Sequence, residues 1–205
     1  LYVADHDNHL LRWVSPGDDK IRHVKTIAGS TKGYADGKGA AARFSGLNDL
    51  ARLANGDIVA TDYGNNRIRL IKPDGTVSTF AGNGKTADSK TPASAFKGSK
   101  MSVNFSYPVA IAADPKGNVF VGGFGGNRRI QRIDSKGNVT IVAGGGDVNG
   151  TKIQDGQGGA VGFRNIHGLE VNPHGVLWAI DGYSGYQKVR IREVNSGGFA
   201  KSWHV

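Results

Sequence analysis

The chain contains no cysteine and a single methionine among its 205 residues. The first absence excludes disulfide staples and thiolate metal sites, although it does not fix the compartment. No apolar run approaches the roughly 18 residues a membrane-spanning helix requires. Hydrophobic residues make up only 38% of the chain, which together with abundant glycine suits short strands and tight turns better than packed helices, and apolar residues at helical spacing of three and four are missing. Acidic residues are also scarce: 17 Asp and Glu stand against 26 Lys and Arg, for a net charge of +9. That balance favours anionic partners such as nucleic acid, an acidic glycan or an anionic membrane surface. No signal peptide or transit segment is visible, and Leu1 already falls inside a strand pattern, so a preceding segment is expected. Three Asn-x-Ser/Thr triplets, at Asn104, Asn138 and Asn149, are close to the number chance provides and carry little weight.

Glycine is abundant, at 32 residues, and it punctuates a repeat. LYVAD at Leu1–Asp5 returns as IVATD at Ile58–Asp62, VFVGG at Val119–Gly123 and LWAID at Leu177–Asp181. The period is roughly 60 residues, the mark of a modular array. Each unit divides into four short segments. The first follows Phe44, Phe105 or Phe163, the second is the LYVAD type, the third alternates apolar and basic residues, and the fourth ends in Ala-Gly. Runs this short, rich in Val, Ile, Thr and Phe and separated by turn residues, read as strands. Pro73–Gly75 and Ser135–Gly137 read as hairpin turns between the third and fourth. Four antiparallel strands per unit joined by Gly-rich connectors describe the blades of a β-propeller. The expected blades are 1–43, 44–104, 105–162 and 163–205, with a final strand at Phe199–Val205 that matches the repeat poorly.

Asn8–Leu10 (NHL), Tyr2–Asp5 (YVAD), the AG-x(6)-DG-x-G-x-A-x-x-F string from Ala28 to Phe44, and Asn65–Gly82 together resemble the NHL repeat. The resemblance extends over nearly the whole chain. It implies an all-β propeller, of which about three and a half blades are present, in a family that usually has six. The remaining blades would come from the rest of the polypeptide or from another one. The pattern departs at Gly122–Gly123, where the first two units have Ala4–Asp5 and Thr61–Asp62, and in the second connector, which lacks the DG-x-G signature.

Topology places the connector after the fourth strand at the same end as the turn between the second and third. The long connectors 29–43, 82–104 and 144–162 are therefore expected to share a face with the short turns at His6, Tyr63, Phe124 and Tyr183. Long loops on a rigid scaffold concentrate binding residues. The candidate ligand-binding set on that face is His6, Tyr34, Tyr63, Phe124, Tyr183 and Tyr186, with Asn48 and His167 at the tunnel-lining start of the first strand. Exposed aromatic rings suit sugars, bases or a protein partner; alternatively each ring packs on the neighbouring blade. Asp5/Asn8 and Asp62/Asn65 read as turn-fixing pairs, and the alternating arginines as residues of a solvated or half-solvated sheet face.

Some six-bladed propeller enzymes hold a divalent metal at inner positions like Asn48, Val109 and His167. Val109 breaks that set, only Asp49 and Glu170 supply nearby acids, and no nucleophile–base pair can be assigned. The expectation is a non-enzymatic scaffold with no catalytic residue, metal or cofactor. Its partner would be a protein or glycan, outside the cell or at its surface, as the resemblance to exported bacterial NHL proteins implies. The alternatives are a cytoplasmic RNA-binding propeller using Lys32, Lys38, Lys85, Lys90, Lys97 and Lys100, a structural subunit of a larger assembly, and a metal-dependent hydrolase or lyase.

Overall fold

The computed structural model describes residues 1–16, 22–88, 90–125, 128–146, 153–182 and 189–203. The first sheet has three antiparallel strands: β1 (Tyr2–Asp5), β2 (Leu10–Val14) and β3 (Val24–Gly29). The second unit contributes β4 (Gly37–Lys38), β5 (Leu47–Arg52), β6 (Ile58–Asp62), β7 (Arg67–Ile71) and β8 (Thr76–Ala81). The third contributes β9 (Gly98–Ser99), β10 (Pro108–Ala113), β11 (Val119–Gly123), β12 (Arg129–Ile133) and β13 (Asn138–Gly144). The fourth contributes β14 (Gly156–Gln157), β15 (Ile166–Val171), β16 (Leu177–Asp181), β17 (Arg190–Val194) and β18 (Phe199–Trp203). In each full unit the four long strands lie side by side in chain order, and the two-residue strand joins outside the fourth. The fold is all-β, and these stacked antiparallel sheets are propeller blades.

The hydrophobic core lies between blades. Leu11, Phe44, Ile58, Ala60 and Ile71 fill the first seam. Val59, Ile68, Phe105, Val119 and Val121 fill the second, and Ile130, Phe163, Ile166, Leu177 and Val194 the third. Residues that alternate along β6 therefore face opposite neighbours: Ile58 and Ala60 one way, Val59 the other. Both faces of a central strand are covered, which is why IVATD opens on three consecutive apolar residues, Ile58–Ala60, in place of an alternation. The repeated Ala-Gly…Phe wording has a steric cause. Gly29, Gly82 and Gly144 close the fourth strand at φ +102°, +103° and +101°, and a Cβ there would lie 3.0, 3.2 and 2.9 Å from Cδ2 of Phe44, Phe105 and Phe163. Each of these phenylalanines is fully buried.

Three expectations change. The connectors begin and end beside the short turns, but their middles run down the outer edge of the following blade to the opposite end. There Gly39 N–H donates to Gly75 O at 3.0 Å, Lys100 N–H to Gly137 O at 2.9 Å and Gly158 N–H to Gly198 O at 2.9 Å. The connectors are straps, and sheet membership starts before residues 44, 105 and 163. The strap forms in the second connector too, without the DG-x-G string. Finally, Phe199–Trp203 is a full outer strand. Ala200 and Ser202 face inward, and Asp155 accepts from Ser202 N–H at 3.0 Å and from its hydroxyl at 2.6 Å.

The arginines on the third strands are also not all solvated. Arg69 and Arg192 have no exposed side-chain area. Arg69 donates to Asp62 (2.9 Å), Asp36 (2.6 Å), Arg43 O (3.1 Å) and Ala35 O (2.9 Å). Arg192 repeats the arrangement, with Asp181 at 2.9 Å, Asp155 at 3.1 Å, Gly162 O at 3.2 Å and Gln154 O at 3.0 Å. The aspartate of the strap and the aspartate ending the second strand grip one buried guanidinium between them. Burial pushes the Asp62 and Asp181 carboxyls up, against hydrogen bonds from Asn65 and Ser45 N–H to Asp62 and from Arg164 N–H to Asp181, and against the paired arginines. In the third blade the whole set changes together: Gly123, Gln131 and Lys97 replace the two aspartates and the arginine, and Gln131 donates its amide to Phe96 O (2.9 Å) and Asn104 O (3.2 Å).

Candidate functional site at the tunnel mouth

The turns between second and third strands gather at one end of the blades. Asp62 fixes the second of these turns by accepting from Asn65 Nδ2 (2.8 Å) and Ser45 N–H (2.8 Å); Asp5 does the same with Asn8 (2.8 Å). The residue that follows each aspartate stands on the rim. His6 and Tyr63 have ring centroids 6.2 Å apart, and Tyr63 lies 5.3 Å from Tyr107 of the next blade. The three rings form a row across three blades. Further round, Phe124 meets His167 edge-on at 4.9 Å. Each aromatic thus packs on its neighbour while His6 remains exposed and Tyr63, Tyr107, Phe124 and His167 remain half-buried.

Tyr107 was not legible as a site residue, yet it is the most constrained member. Its φ is +46°, a conformation that costs a bulky residue on the order of 1 kcal/mol or more. Gly46 occupies the matching position of the preceding blade at φ +84°. There a Cβ would sit 2.6 Å from His6 Nε2, so the histidine takes the space above the glycine. The signal was present in the alignment of FSG at Phe44–Gly46 with FSY at Phe105–Tyr107. Asn66 holds the strained residue by accepting Tyr107 N–H at 2.8 Å.

The remaining candidates separate. Tyr34 lies on the outer edge of the second blade, away from the mouth. Its hydroxyl is 2.8 Å from Thr79 Oγ1, and the Arg67 guanidinium lies 4.1 Å from its ring. Asn48 is exposed and donates to Val109 O at 3.2 Å across the seam. His167 Nε2 lies 3.3 Å from Gly182 O. Tyr183 and Tyr186 lie outside the described residues.

Of the two acids near the tunnel, Glu170 is exposed and Asp49 is committed to structure. Asp49 accepts from Ile111 N–H (2.9 Å) and Leu50 N–H (2.8 Å), stapling β5 to β10. Burial pushes its carboxyl up, and the charge of Glu170 adds to this. Among the described residues no group of three or more His, Asp or Glu is placed to hold a metal ion. Among them too, no helix is long and apolar enough to cross a membrane. What the mouth offers is a row of mutually tilted, partly exposed rings fixed by rigid blades, an apolar surface with polar tips.

No family model matches the chain, and no curated protein does. Solved structures do. A protein of unknown function from Bacteroides thetaiotaomicron superposes with a TM-score of 0.66 at 19% identity, over 94% of this chain and 43% of that one. Virginiamycin B lyase from Staphylococcus aureus superposes at 0.57 and 15% identity, over 100% of this chain and 51% of the lyase. An auxiliary nutrient binding protein from Bacteroides thetaiotaomicron gives 0.54 at 23% identity, over 68% and 34%. These likenesses establish the propeller class. The chain spans about half, or less, of each of those proteins.

Proposed function

We infer that this chain is part of an NHL-type propeller that acts as a non-enzymatic binding scaffold at a cell surface, holding a glycan or protein on its tunnel-mouth face. The observation that carries this reading is the His6–Tyr63–Tyr107 row. A tyrosine kept at positive φ, where the preceding repeat uses glycine, spends backbone energy to place a ring there, and such strain clusters at functional sites. The nutrient binding protein with the same fold gives support by analogy alone.

The blades that close the ring come from the rest of the polypeptide or from another one. The first blade leaves Leu1, Val3 and Val24 uncovered, and the last leaves Ile180, Ile191 and Trp203 uncovered. Uncovered sheet faces of this kind are an association liability unless another blade seals them. The test is retention of the full-length protein on immobilised glycans and on RNA across a salt series. Glycan retention that changes little with salt supports the reading. Retention on RNA alone, falling steeply with salt, replaces it with the nucleic-acid alternative that the net charge of +9 would favour.

A further inference from the structure

The three blade seams are copies of one interface, so each serves as a control for the others. At the first seam the fourth residue of β2 is Trp13, and Ile27 stands at the matching point of β3. At the second seam the same two places hold Leu70 and Phe80, which pack against the apolar cluster containing Val119 and Ile133. At the third they hold Arg132 and Val142. A large apolar plug has become a cation beside a smaller side chain, and a cleft of about 260 Å³ opens there between the third and fourth blades.

The cleft lies at the end opposite the tunnel mouth, beside the turns Asp114–Asn118 and Asn172–Val176. Its wall carries Lys116, Arg132 and His174, and its floor includes Phe120, Val142 and Leu177. The one carboxylate in the lining, Asp114, is already engaged by Asn118 N–H (2.8 Å) and Asn118 Nδ2 (2.6 Å). Arg132 lines the cleft and acts electrostatically on Asp134. A guanidinium matches a carboxylate through paired N–H donors. The volume falls below the roughly 300 Å³ at which drug-sized pockets begin, which suits a body of monosaccharide size.

We propose that this cleft is a second binding site, separate from the tunnel mouth, for a small organic acid of sugar size. Arg132 and Lys116 grip its carboxylate, and the body rests against Phe120 and Val142. The experiment is calorimetric titration of the full-length protein with D-glucuronate as probe, D-glucose as the neutral control and inorganic phosphate as the bare anion. Saturable glucuronate binding is expected, at least about ten-fold tighter than either control. Arg132→Leu, which installs the residue of the neighbouring seam, lowers glucuronate affinity by about ten-fold or more. Val142→Phe, which refills the cleft and keeps the arginine, does the same and serves if the first variant does not fold. Absence of saturable glucuronate binding, phosphate binding as tight as glucuronate, or unchanged affinity in either folded variant overturns the proposal.

Discussion

Arg69 and Asp62 form an ion pair at 2.9 Å in which neither side chain retains any solvent exposure. Two charges with no access to water are stable only when most of the remaining donors and acceptors are also satisfied; Asp36, Ala35 O and Arg43 O take the other terminal N–H groups, and among the described residues Nε alone of the guanidinium nitrogens is left without a partner. Replacing Arg69 with Ala leaves Asp62 buried without its cation. The expected loss is about 3–5 kcal/mol in denaturant unfolding. The third blade shows how the repeat manages without the pair. Installing its residues together, as Asp36→Lys, Asp62→Gly and Arg69→Gln, is expected to destabilise by clearly less than the sum of the three single changes.

Gly122 interlocks with Ile166 across the third seam. A Cβ on Gly122 would lie 2.5 Å from Ile166 Cγ2. Gly122→Ala is expected to cost about 1–3 kcal/mol through overpacking. Combining it with Ile166→Ala should give a double variant more stable than the sum of the two single losses predicts, measured by a double-mutant cycle. Strict additivity would show that the two residues do not share the space.

Asp74 sits in the turn before β8, where Thr76 N–H, Lys38 and the Thr76 hydroxyl hold its carboxyl down to about 2. A carboxyl depressed in the folded state stabilises it at any pH above the unfolded value, and the contribution disappears as the pH falls through the folded value. The protein is therefore expected to lose stability between about pH 4 and pH 2, and Asp74→Asn to make that limb shallower. Asp49 has the opposite sign. Its carboxyl is raised by burial, so the ionised group weakens the fold at neutral pH, and this penalty is relieved as acid protonates it.

Tyr107 has φ +46°, and glycine serves the same position one blade earlier. Tyr107→Gly removes the ring while relieving the backbone. Thermal unfolding is expected to show a change within about 1 kcal/mol, with the relief offsetting lost ring contacts. A loss comparable to removal of a core aromatic would identify Tyr107 as packing alone.

The repeat, the antiparallel blades and the face bearing the short turns were legible in the sequence because they rest on strand alternation and turn residues. The straps were not. Gly37–Lys38 and Gly98–Ser99 are too short to show a period, and their pairing depends on the outer edge of a strand distant in sequence. Nor were the buried arginines legible, because an alternating arginine on a strand looks solvated until the strap covers it. Their signal was the joint presence of Asp36, Asp62 and Arg69, repeated as Asp155, Asp181 and Arg192 and lost together at Lys97, Gly123 and Gln131. At the candidate site, His6, Tyr63 and Phe124 followed from the repeat itself. Tyr34 did not, because the strap carries it to the outer edge. Tyr107 was hidden because it occupies a position that the repeat otherwise gives to backbone geometry.

The most direct measurement compares ligand retention by the Tyr63→Ala, Tyr107→Gly double variant with retention by Tyr34→Ala, on the same glycan or protein partner and with folding checked for each. Removing the row at the tunnel mouth should abolish retention, while removing the tyrosine on the outer edge should leave it within about two-fold of the parent protein. Undiminished retention in the folded double variant would contradict the account.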